Sequence, residues 1–411
     1  MTWAQYITWR KVHRPKARCR RQRPSRSSTM APSLAEPVSL RALPKAILKT
    51  DAGHNKENLI GYGEAYKHAD EITGTTKQPP AAFPNYLPVW DNETERYAPL
   101  QPFEHYDHGK DADSSFPDLF PKDGSHTLDE LTPTIGSEVH GIQLSQLSKE
   151  GKDQLALFVA QRKVVAFRDQ DFAHLPIDKA LEFGGYFGRH HIHQTSGAPK
   201  GYPEIHLVHR GADDTSGADF LAGHTNSITW HSDVTFEQQP PGTTFLYLLD
   251  GPSSGGDTLF ADMAQAYRRL SPEFRKRLHG LRAVHSGIEQ VNNSLNKGGI
   301  ARRDPIQTEH PIVRTHPVTG EKALFVNPQF TRYIVGYKKE ESDFLLKFLY
   351  DHIALSQDIQ TRVRWRPGTV VVWDNRVACH SALFDWADGQ RRHLARITPQ
   401  AERPYETPFD G

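Results

Sequence analysis

A three-residue motif near the middle of the chain, His231-Ser232-Asp233, has side chains that could bind a metal ion. Residues i and i+2 of a β-strand point to the same face, so an imidazole and a carboxylate at this spacing can converge on one ion. The motif follows the letters ITW and leads into VTFEQQPPGTTFLYL, a strand-rich segment that we predict to be core. Two further His-x-Asp pairs lie in polar or proline-rich sequence, at His68/Asp70 and His105/Asp107. We therefore take the pair at His231 as the candidate metal site.

Two protein ligands rarely suffice for a metal, and the C-terminal strands offer histidines as a third. The candidates on predicted strands are His310, His316, His380 and His393. We favour His380, because it follows the apolar segment GTVVVWDNRVAC and precedes SALFDW, which indicates the end of a barrel rather than a solvated face. A triad of two histidines and one carboxylate is typical of Fe(II) oxygenases, whereas the same ligands can hold zinc in a hydrolase. The pattern does not decide between these metals, and a hydrogen-bonded core histidine is the structural alternative for His380.

Two arginines of the last predicted strand, Arg392 and Arg396, are candidates for binding anions. In the segment RRHLARI they share one face with Leu394. Burying two guanidinium groups in a barrel is costly unless each meets an anion, and their planar donors suit carboxylate, sulfonate or phosphate. Thr258, after a Gly-Gly turn in SGGDTLF, would add a hydroxyl donor to the same anion. The alternative is a solvated, charged edge strand.

The elements that must position these side chains are mostly short strands. A helix is predicted over residues 149–163, then a strand over 164–169 and a second helix in PIDKALEFGGYFG. Further strands are predicted at ITWHSDVTF, TTFLYLLD, DTLFADM, RAVHSG, HPIVRTHP, EKALFVN, RVRWRPGTVVVWDN, ACHSALFDW and RRHLARITP, and helices at SPEFRKRLHGL and KKEESDFLLKFLYDHIAL. This pattern predicts a mainly β fold, a barrel or sandwich with flanking helices. No glycine fingerprint leads from a strand into a helix, which disfavours a dinucleotide-binding or P-loop fold.

The composition divides the chain into three stretches. Residues 1–29 hold nine Lys/Arg and no Asp or Glu, which is typical of a basic disordered arm, a mitochondrial presequence or a gene-model extension before Met30. Residues 30–130 are rich in Pro, Asp, His and Tyr, and we expect them to wrap around the core in extended form. The globular domain is predicted over residues 131–404.

Composition also excludes several classes of function. The 411 residues have a net charge of +1, and without the basic arm the remainder has a net charge of −8, which is unsuited to nucleic acid. The sequence has no run of 18 apolar residues that could span a membrane. Its two cysteines, Cys19 and Cys379, are too few for a disulfide scaffold and indicate a reducing compartment. We expect a cytoplasmic protein, or a mitochondrial one if residues 1–29 are a presequence.

Taken together, these motifs resemble the taurine/sulfonate branch of the TauD/TfdA family of Fe(II)- and 2-oxoglutarate-dependent dioxygenases. The resemblance extends from about Leu131 to Pro404 and rests on WHSDVTFEQQPPGTTFLYLLDGPSSGGDTLFADM, PGTVVVWDNRVACHSA and GQRRHLARITP. It is strongest with the fungal members, whose N-terminal arm is similar to PNYLPVWD and PLQPFEHYD. It implies a double-stranded β-helix, which is a jelly-roll barrel flanked by helices.

The resemblance also implies roles for individual residues. Three match the family's iron ligands: His231, Asp233 and His380. Two match the residues that contact the distal carboxylate of 2-oxoglutarate: Thr258 and Arg392. Three match the groups that hold a substrate sulfonate: His193, Arg396 and Val234, the last through its backbone N–H. Gln194 stands where the family has proline, and Asn226 and Ser227 stand where bacterial taurine enzymes surround the amine, so the sulfonate end is retained while taurine itself is not implied.

The implied reaction uses Fe(II), 2-oxoglutarate and O2 to hydroxylate the carbon next to the sulfonate of taurine or another alkylsulfonate. Its products are sulfite, an aldehyde, succinate and CO2. The same oxygenase chemistry on a sulfate ester, an aryloxy acid, a purine or a secondary metabolite is the nearest alternative. A zinc hydrolase, or a non-catalytic barrel that binds partners through the basic arm, are the alternatives from other classes. We expect a small-molecule substrate, neither nucleic acid nor membrane as partner, and leave a homo-oligomer open.

Overall fold

The computed structural model describes residues 69–75, 79–89, 96–212, 214, 216–296, 299–386 and 389–410. The predicted basic arm over residues 1–29, and His68 of the first His-x-Asp pair, lie outside the described residues. The strands are β1 (Thr127–Glu130), β2 (Ser137–His140), β3 (Val164–Phe167), β4 (Ile205–Arg210), β5 (Thr243–Asp250), β6 (Thr258–Asp262), β7 (Arg282–Ser286), β8 (Gln307–Pro311), β9 (Val313–Thr315), β10 (Lys322–Leu324), β11 (Thr331–Ile334), β12 (Gln360–Val363), β13 (Val370–Asp374), β14 (Ala378–Ala382) and β15 (Arg392–Ile397). The α-helices are α1 (Ala69–Thr73), α2 (Lys149–Arg162), α3 (Ile177–Gly185), α4 (Ser216–Gly223), α5 (Met263–Arg268), α6 (Pro272–Leu278), α7 (Ile288–Asn296) and α8 (Lys339–Leu355).

The strands form two principal sheets. The larger has seven strands in the order β1-β2-β3-β13-β5-β15-β4, and all its pairs are antiparallel except β2 with β3. The smaller has three strands in the order β12-β6-β14. Three further strands pair as β11-β7-β8, and β9 pairs with β10. The fold therefore combines sheets with helices, which agrees with the coarse prediction of short strands with flanking helices.

Apolar side chains fill the space between the seven-stranded and the three-stranded sheet. Trp373 of β13 is fully buried there, and its ring lies 5.7 Å from the ring of Phe260 on β6. Helices α2 and α3 cover the outer face of the larger sheet through Phe158 and Phe183, and α5 and α8 pack beside the smaller sheet. We call the apolar space between the two sheets the inner core.

Strand β15 brings the two predicted anion-binding arginines to the inner core. Because side chains alternate along a strand, Leu394 packs in the inner core while Ala395 and Ile397 pack against the helical layer. Arg392 and Arg396 are two residues before and after Leu394 and share its face. Both arginines are buried, so the alternative of a solvated edge strand is wrong. Strand β15 lies inside the sheet, between β5 and β4.

The predicted elements are largely present, with one consequential error. The helix predicted over residues 149–163 is α2, and the strand predicted after it is β3. The strand predicted at ITWHSDVTF is wrong: His231 forms a single β-bridge with His380, and residues 233–236 form turns. Strand β4 and helix α4 lie between residues 195 and 229, where no regular element was predicted. None of the helices among the described residues has the length and apolar composition needed to cross a membrane.

The part of the proline-rich stretch that is described packs on the globular domain, both by side chains and by the backbone pairing of Val89 with Ala198. Tyr86 is fully buried, and the Tyr247 hydroxyl of β5 donates a hydrogen bond to its hydroxyl at 3.1 Å. Arg189 lies 4.2 Å from the centre of the Phe103 ring. Tyr106 is 56% exposed, so its ring is not buried in the core.

Candidate active site

Three candidate metal ligands meet beside the inner core. The Nε2 atoms of His231 and His380 each lie 3.7 Å from Oδ1 of Asp233. One ligand atom from each residue lies within 4.8 Å of the other two, which is a spacing that one metal ion can bridge. The His380 ring packs on Phe260 and Trp373, at 5.8 and 5.2 Å between ring centres. The structure therefore brings together all three of the residues predicted as metal ligands.

Backbone pairing rather than a continuous strand sets this geometry. His231 and His380 exchange two backbone hydrogen bonds, at 2.9 and 2.7 Å, which places their side chains next to each other. The chain then turns at Asp233, and Val234 adopts a φ of 40°, a value that is strained for a β-branched residue. Strain of this kind persists only where the surroundings impose it, and it is concentrated at functional sites.

The donor atoms have the protonation that a metal requires. The Thr229 carbonyl can only accept, so Nδ1 of His231 carries the proton of their 2.8 Å hydrogen bond. Nε2 is therefore unprotonated, and its lone pair faces Asp233. Burial lowers the pKa of His231, and it lowers the pKa of His380 to about 3, so both rings are neutral. Burial alone would raise the pKa of Asp233, but the charge of Arg396 holds it below its usual value. Oδ2 of Asp233 is buried without a hydrogen-bond partner in the described part of the chain, as a free ligand atom would be.

The other histidine candidates make ordinary structural contacts. His316 pairs with Asp374 at 2.9 Å, and His393 hydrogen-bonds the Tyr86 carbonyl at 3.0 Å. His310 hydrogen-bonds the Glu237 carbonyl at 2.9 Å. His105 and Asp107 lie near Glu402, but Asp107 is ion-paired with Arg376, which supplies the positive charge that a metal would otherwise provide. His380 is thus the histidine of this set that faces the His231 motif.

Arg392 and Thr258 lie where the smaller sheet meets β15. Nε of Arg392 donates to the carbonyl of Gly256 at 3.0 Å, two residues before Thr258. Its two Nη atoms have no hydrogen-bond partner among the described residues, although the side chain is buried. The Thr258 hydroxyl accepts a hydrogen bond from Nε1 of Trp365 at 3.1 Å. Burial lowers the pKa of Arg392 to about 10, so the guanidinium remains charged at neutral pH and attracts an anion.

Arg396 contacts a predicted metal ligand directly. Its Nη1 donates to Oδ1 of Asp233 at 2.7 Å, and its Nη2 lies 3.1 Å from Nδ1 of His206. The His206 ring is 4.2 Å from the ring of His193, so the residues predicted to hold a sulfonate form one group next to the metal ligands. Nδ1 of His193 accepts from the backbone N–H groups of Thr195 and Ser196, which leaves its Nε2 as a donor.

Two features of this group escaped the sequence interpretation. His206 lies on β4, which was not predicted, because the segment IHLVHR mixes polar and apolar residues within a long connection. The second is a buried network in which Glu237 accepts from Nη2 of Arg303 at 2.6 Å and from His191 at 2.9 Å. Arg303 also donates to the carbonyl of Ile192, next to His193. No pattern of spacing marks these residues, because they are far apart in the chain.

Asn375 fixes the backbone of Asp233 through both atoms of its amide. Its Oδ1 accepts from the Asp233 N–H at 2.7 Å, and its Nδ2 donates to the Asp233 carbonyl at 3.1 Å. We expect Asn375→Ala to weaken Fe(II) binding by about 10- to 100-fold, since groups that orient metal ligands typically contribute that much. Anaerobic titration with Fe(II) measures the change, with the exposed Asn296→Ala as control. Equal affinity of the two variants would contradict this positioning role.

The Glu237 network predicts an acid-dependent loss of stability. Burial alone would raise the pKa of Glu237, but the hydrogen bond from His191 and the charge of Arg303 lower it from 4.5 to about 2. A depressed carboxyl pKa stabilises the fold fully above the unfolded-state value, and this contribution is lost as the pH falls through the folded-state value. The destabilisation caused by Glu237→Gln should therefore be largest above pH 5 and shrink towards pH 2. Urea unfolding across this range checks it, with the exposed Glu273→Gln as the control variant.

A cavity of about 1030 Å³ borders this site. Its wall includes Thr229 and Trp230, the two residues that directly precede the metal ligand His231. Phe384, which follows β14, and Phe220 of α4 add aromatic surface. A small molecule in this cavity would therefore lie next to the candidate metal centre.

Comparison with known proteins identifies the family to which this fold belongs. The family model described as taurine catabolism dioxygenase TauD, TfdA family, matches residues 127–398. The chain therefore belongs to the TauD/TfdA family of dioxygenases. It is 44% identical over 394 residues to the alpha-ketoglutarate-dependent sulfonate dioxygenase of Saccharomyces cerevisiae, which covers 92% of this chain and 95% of the relative.

Two further similarities extend this result. The chain is 45% identical over 326 residues to the alpha-ketoglutarate-dependent dioxygenase cnsP of Penicillium expansum, covering 78% of this chain and 87% of that protein. The crystal structure of a taurine dioxygenase from Burkholderia xenovorans aligns with a TM-score of 0.55 and 31% sequence identity, over 68% of this chain and 92% of that one. The described fold is thus that of dioxygenases in this family.

Proposed function

We propose that this chain is an Fe(II)- and 2-oxoglutarate-dependent dioxygenase that hydroxylates the carbon next to a sulfonate. The products are an aldehyde and sulfite from the substrate, with succinate and CO2 from 2-oxoglutarate. The observation that supports this most directly is the meeting of two neutral histidines and one carboxylate beside the inner core, with the buried Arg396 on that carboxylate. The sulfonate named for the 44% identical yeast relative supports the choice of substrate. We assign the activity to residues 131–404, with the two main sheets as the halves of a jelly-roll barrel.

His231, Asp233 and His380 would hold the metal. Their neutral imidazoles and single carboxylate fit Fe(II). Oδ2 of Asp233, which has no hydrogen-bond partner in the part of the chain that the structure describes, fits a ligand position. Fe(II), when bound, supplies the chemistry that couples decarboxylation of 2-oxoglutarate to hydroxylation by O2. The contribution of the chain is to bind the reactants, orient them and exclude water.

Arg392 would orient 2-oxoglutarate by its distal carboxylate. A buried guanidinium whose two Nη atoms have no hydrogen-bond partner among the described residues can receive a carboxylate in bidentate fashion. Thr258 lies on β6, two residues after Gly256, whose carbonyl accepts from Arg392. It would donate its hydroxyl to the same group, because that hydroxyl already accepts from Trp365 and retains its proton. Fixing the distal end leaves the keto-acid end free to face the metal ligands.

Arg396, His193 and Val234 would hold the substrate sulfonate. Arg396 offers a charge-assisted donor, His193 offers Nε2–H, and Val234 offers a backbone N–H in the turn after Asp233. Since Arg396 also pairs with Asp233, it would hold the sulfonate, and the carbon attached to sulfur, next to the metal ligands. The hydroxylated carbon then loses sulfite and becomes an aldehyde.

The test is to incubate purified protein with Fe(II), 2-oxoglutarate and O2 across a panel of alkylsulfonates, measuring succinate and sulfite in the same reactions. We expect both to rise together for at least one sulfonate and neither to form without O2 or without 2-oxoglutarate. Sulfonate-independent succinate without sulfite would contradict the substrate class while retaining the oxygenase. Turnover that needs neither O2 nor 2-oxoglutarate would contradict the reaction itself and favour a zinc hydrolase.

A further inference from the structure

The cavity beside the metal ligands is much larger than a two-carbon sulfonate needs. Its volume of about 1030 Å³ reaches the upper end of the range for drug-sized ligands, about 300–1,000 Å³. Its wall continues into the site at Thr229, whose carbonyl accepts the His231 hydrogen bond. The wall also includes Gln329, which directly precedes Phe330 in the chain. The Phe330 ring lies 6.2 Å from the ring of His231. A substrate tail that extends from the metal ligands past Thr229 would enter this cavity.

The lining favours an apolar tail. Phe220, Trp230 and Phe384 present aromatic surface, and Ile228 adds an aliphatic side chain. Burial of apolar and aromatic groups contributes free energy in proportion to the area removed from water. A short sulfonate would leave this surface in contact with water, whereas a substrate with a ring system would cover it.

The cavity wall includes an arginine, Arg210. Arg210 is the last residue of β4 and lies opposite Arg392 of β15, so the two adjoining strands each present a guanidinium. Arg210 stacks on Phe384, at 4.6 Å from the ring centre, and its Nη1 lies 3.5 Å from the half-exposed Asp214. The lining residues that the structure describes include no Asp or Glu. A positively charged tail such as an ammonium is therefore disfavoured, and a second anionic group is attracted.

We propose that the cavity selects sulfonates with a large, aromatic or otherwise apolar tail that bears a second negative charge, and that Arg210 recognises that charge. This inference rests on the proposed sulfonate dioxygenase function and specifies its substrate class. It assigns Arg392 to the cosubstrate and Arg210 to the tail, although the two arginines are neighbours in the sheet.

The experiment compares four compounds that share a CH2–SO3⁻ end and differ in the tail. They are taurine, ethanesulfonate, 4-phenylbutane-1-sulfonate and 4-(4-carboxyphenyl)butane-1-sulfonate. Sulfite release gives kcat/KM for each compound with the wild type, with Arg210→Gln and with Arg277→Gln, an exposed arginine of α6 as matched control. We expect the carboxyphenyl compound to be the best substrate and taurine the poorest. Arg210→Gln should reduce the advantage of the carboxyphenyl over the phenyl compound by about tenfold or more, which is typical of a lost charge-assisted hydrogen bond.

The outcomes separate this inference from the function on which it rests. If taurine or ethanesulfonate is preferred, or if Arg210→Gln lowers kcat/KM equally for all four compounds, the inference is overturned while the sulfonate dioxygenase stands. A rise in the KM for 2-oxoglutarate as the main effect of Arg210→Gln would assign this arginine to the cosubstrate and also overturn the inference. If no compound releases sulfite, the proposed function fails and the inference fails with it.

Discussion

Replacing Asp233 by alanine is expected to abolish Fe(II) binding and to reduce succinate formation below detection. Asp233 supplies the single carboxylate of the triad, and both histidine Nε2 atoms lie 3.7 Å from its Oδ1. Without it, two neutral imidazoles remain to hold a divalent cation, and the positive charge of buried Arg396 loses its partner and repels the ion. Anaerobic Fe(II) titration and succinate formation with saturating 2-oxoglutarate measure the two effects.

Removing a buried ion-pair partner can also destabilise the fold, so a second variant is needed. Asp233→Asn keeps the shape and one oxygen acceptor while it removes the charge, and it should show the same loss of Fe(II) affinity. The exposed Asp129→Ala on β1 serves as the matched control and should bind Fe(II) like the wild type. Full Fe(II) affinity in a folded Asp233→Asn protein, judged by circular dichroism, would exclude Asp233 as a ligand.

The candidate metal ligands could be found from the sequence because their neighbourhoods are distinctive. His380 lies between an apolar strand and a second apolar segment, and the structure has it on β14 against the inner core. His231 and Asp233 do lie close together, but for a structural reason other than the predicted one. The prediction assumed a strand, whereas a backbone bridge to His380 and a turn at Val234 bring the ligand atoms together. The sequence shows only that His231 and Asp233 are two residues apart. Side chains at this spacing can converge on a strand or across a turn, so the spacing alone does not distinguish the two.

The arrangement around Arg396 shows what the sequence could not provide. Spacing on β15 predicted that Arg392 and Arg396 share a face, and alternation along one strand is sufficient for that. The contact of Arg396 with Asp233, and the neighbouring His206, depend on pairing between strands that are distant in the sequence. Long-range pairing is decided by the packing of the whole sheet, so local patterns do not reveal it. The large cavity has the same origin, because its wall combines β4, α4 and residues after β14.

Replacing Arg392 and replacing Arg396 are expected to raise the KM for different reactants. Arg392→Ala should raise the KM for 2-oxoglutarate by about 10- to 100-fold, since a charge-assisted hydrogen bond contributes about 1.5–3 kcal/mol. Arg396→Ala should raise the KM for the sulfonate by a similar factor, with a smaller change for 2-oxoglutarate. Because Arg396 also neutralises Asp233, its loss should weaken Fe(II) binding as well, and both measurements need saturating Fe(II).

The comparison tests the register of the strand as well as the two roles. Arg392 and Arg396 lie on one face with Leu394 between them, so exchanging their roles requires the cosubstrate and the substrate to exchange ends of the site. Arg366→Ala, an exposed arginine outside the site, controls for the loss of a guanidinium and should leave both KM values unchanged. If Arg396→Ala raises the KM for 2-oxoglutarate and Arg392→Ala raises the KM for the sulfonate, the assigned orientation is reversed. If Arg396→Ala weakens only Fe(II) binding, its contact with Asp233 is its whole function, and His193 and the Val234 N–H must hold the sulfonate without it.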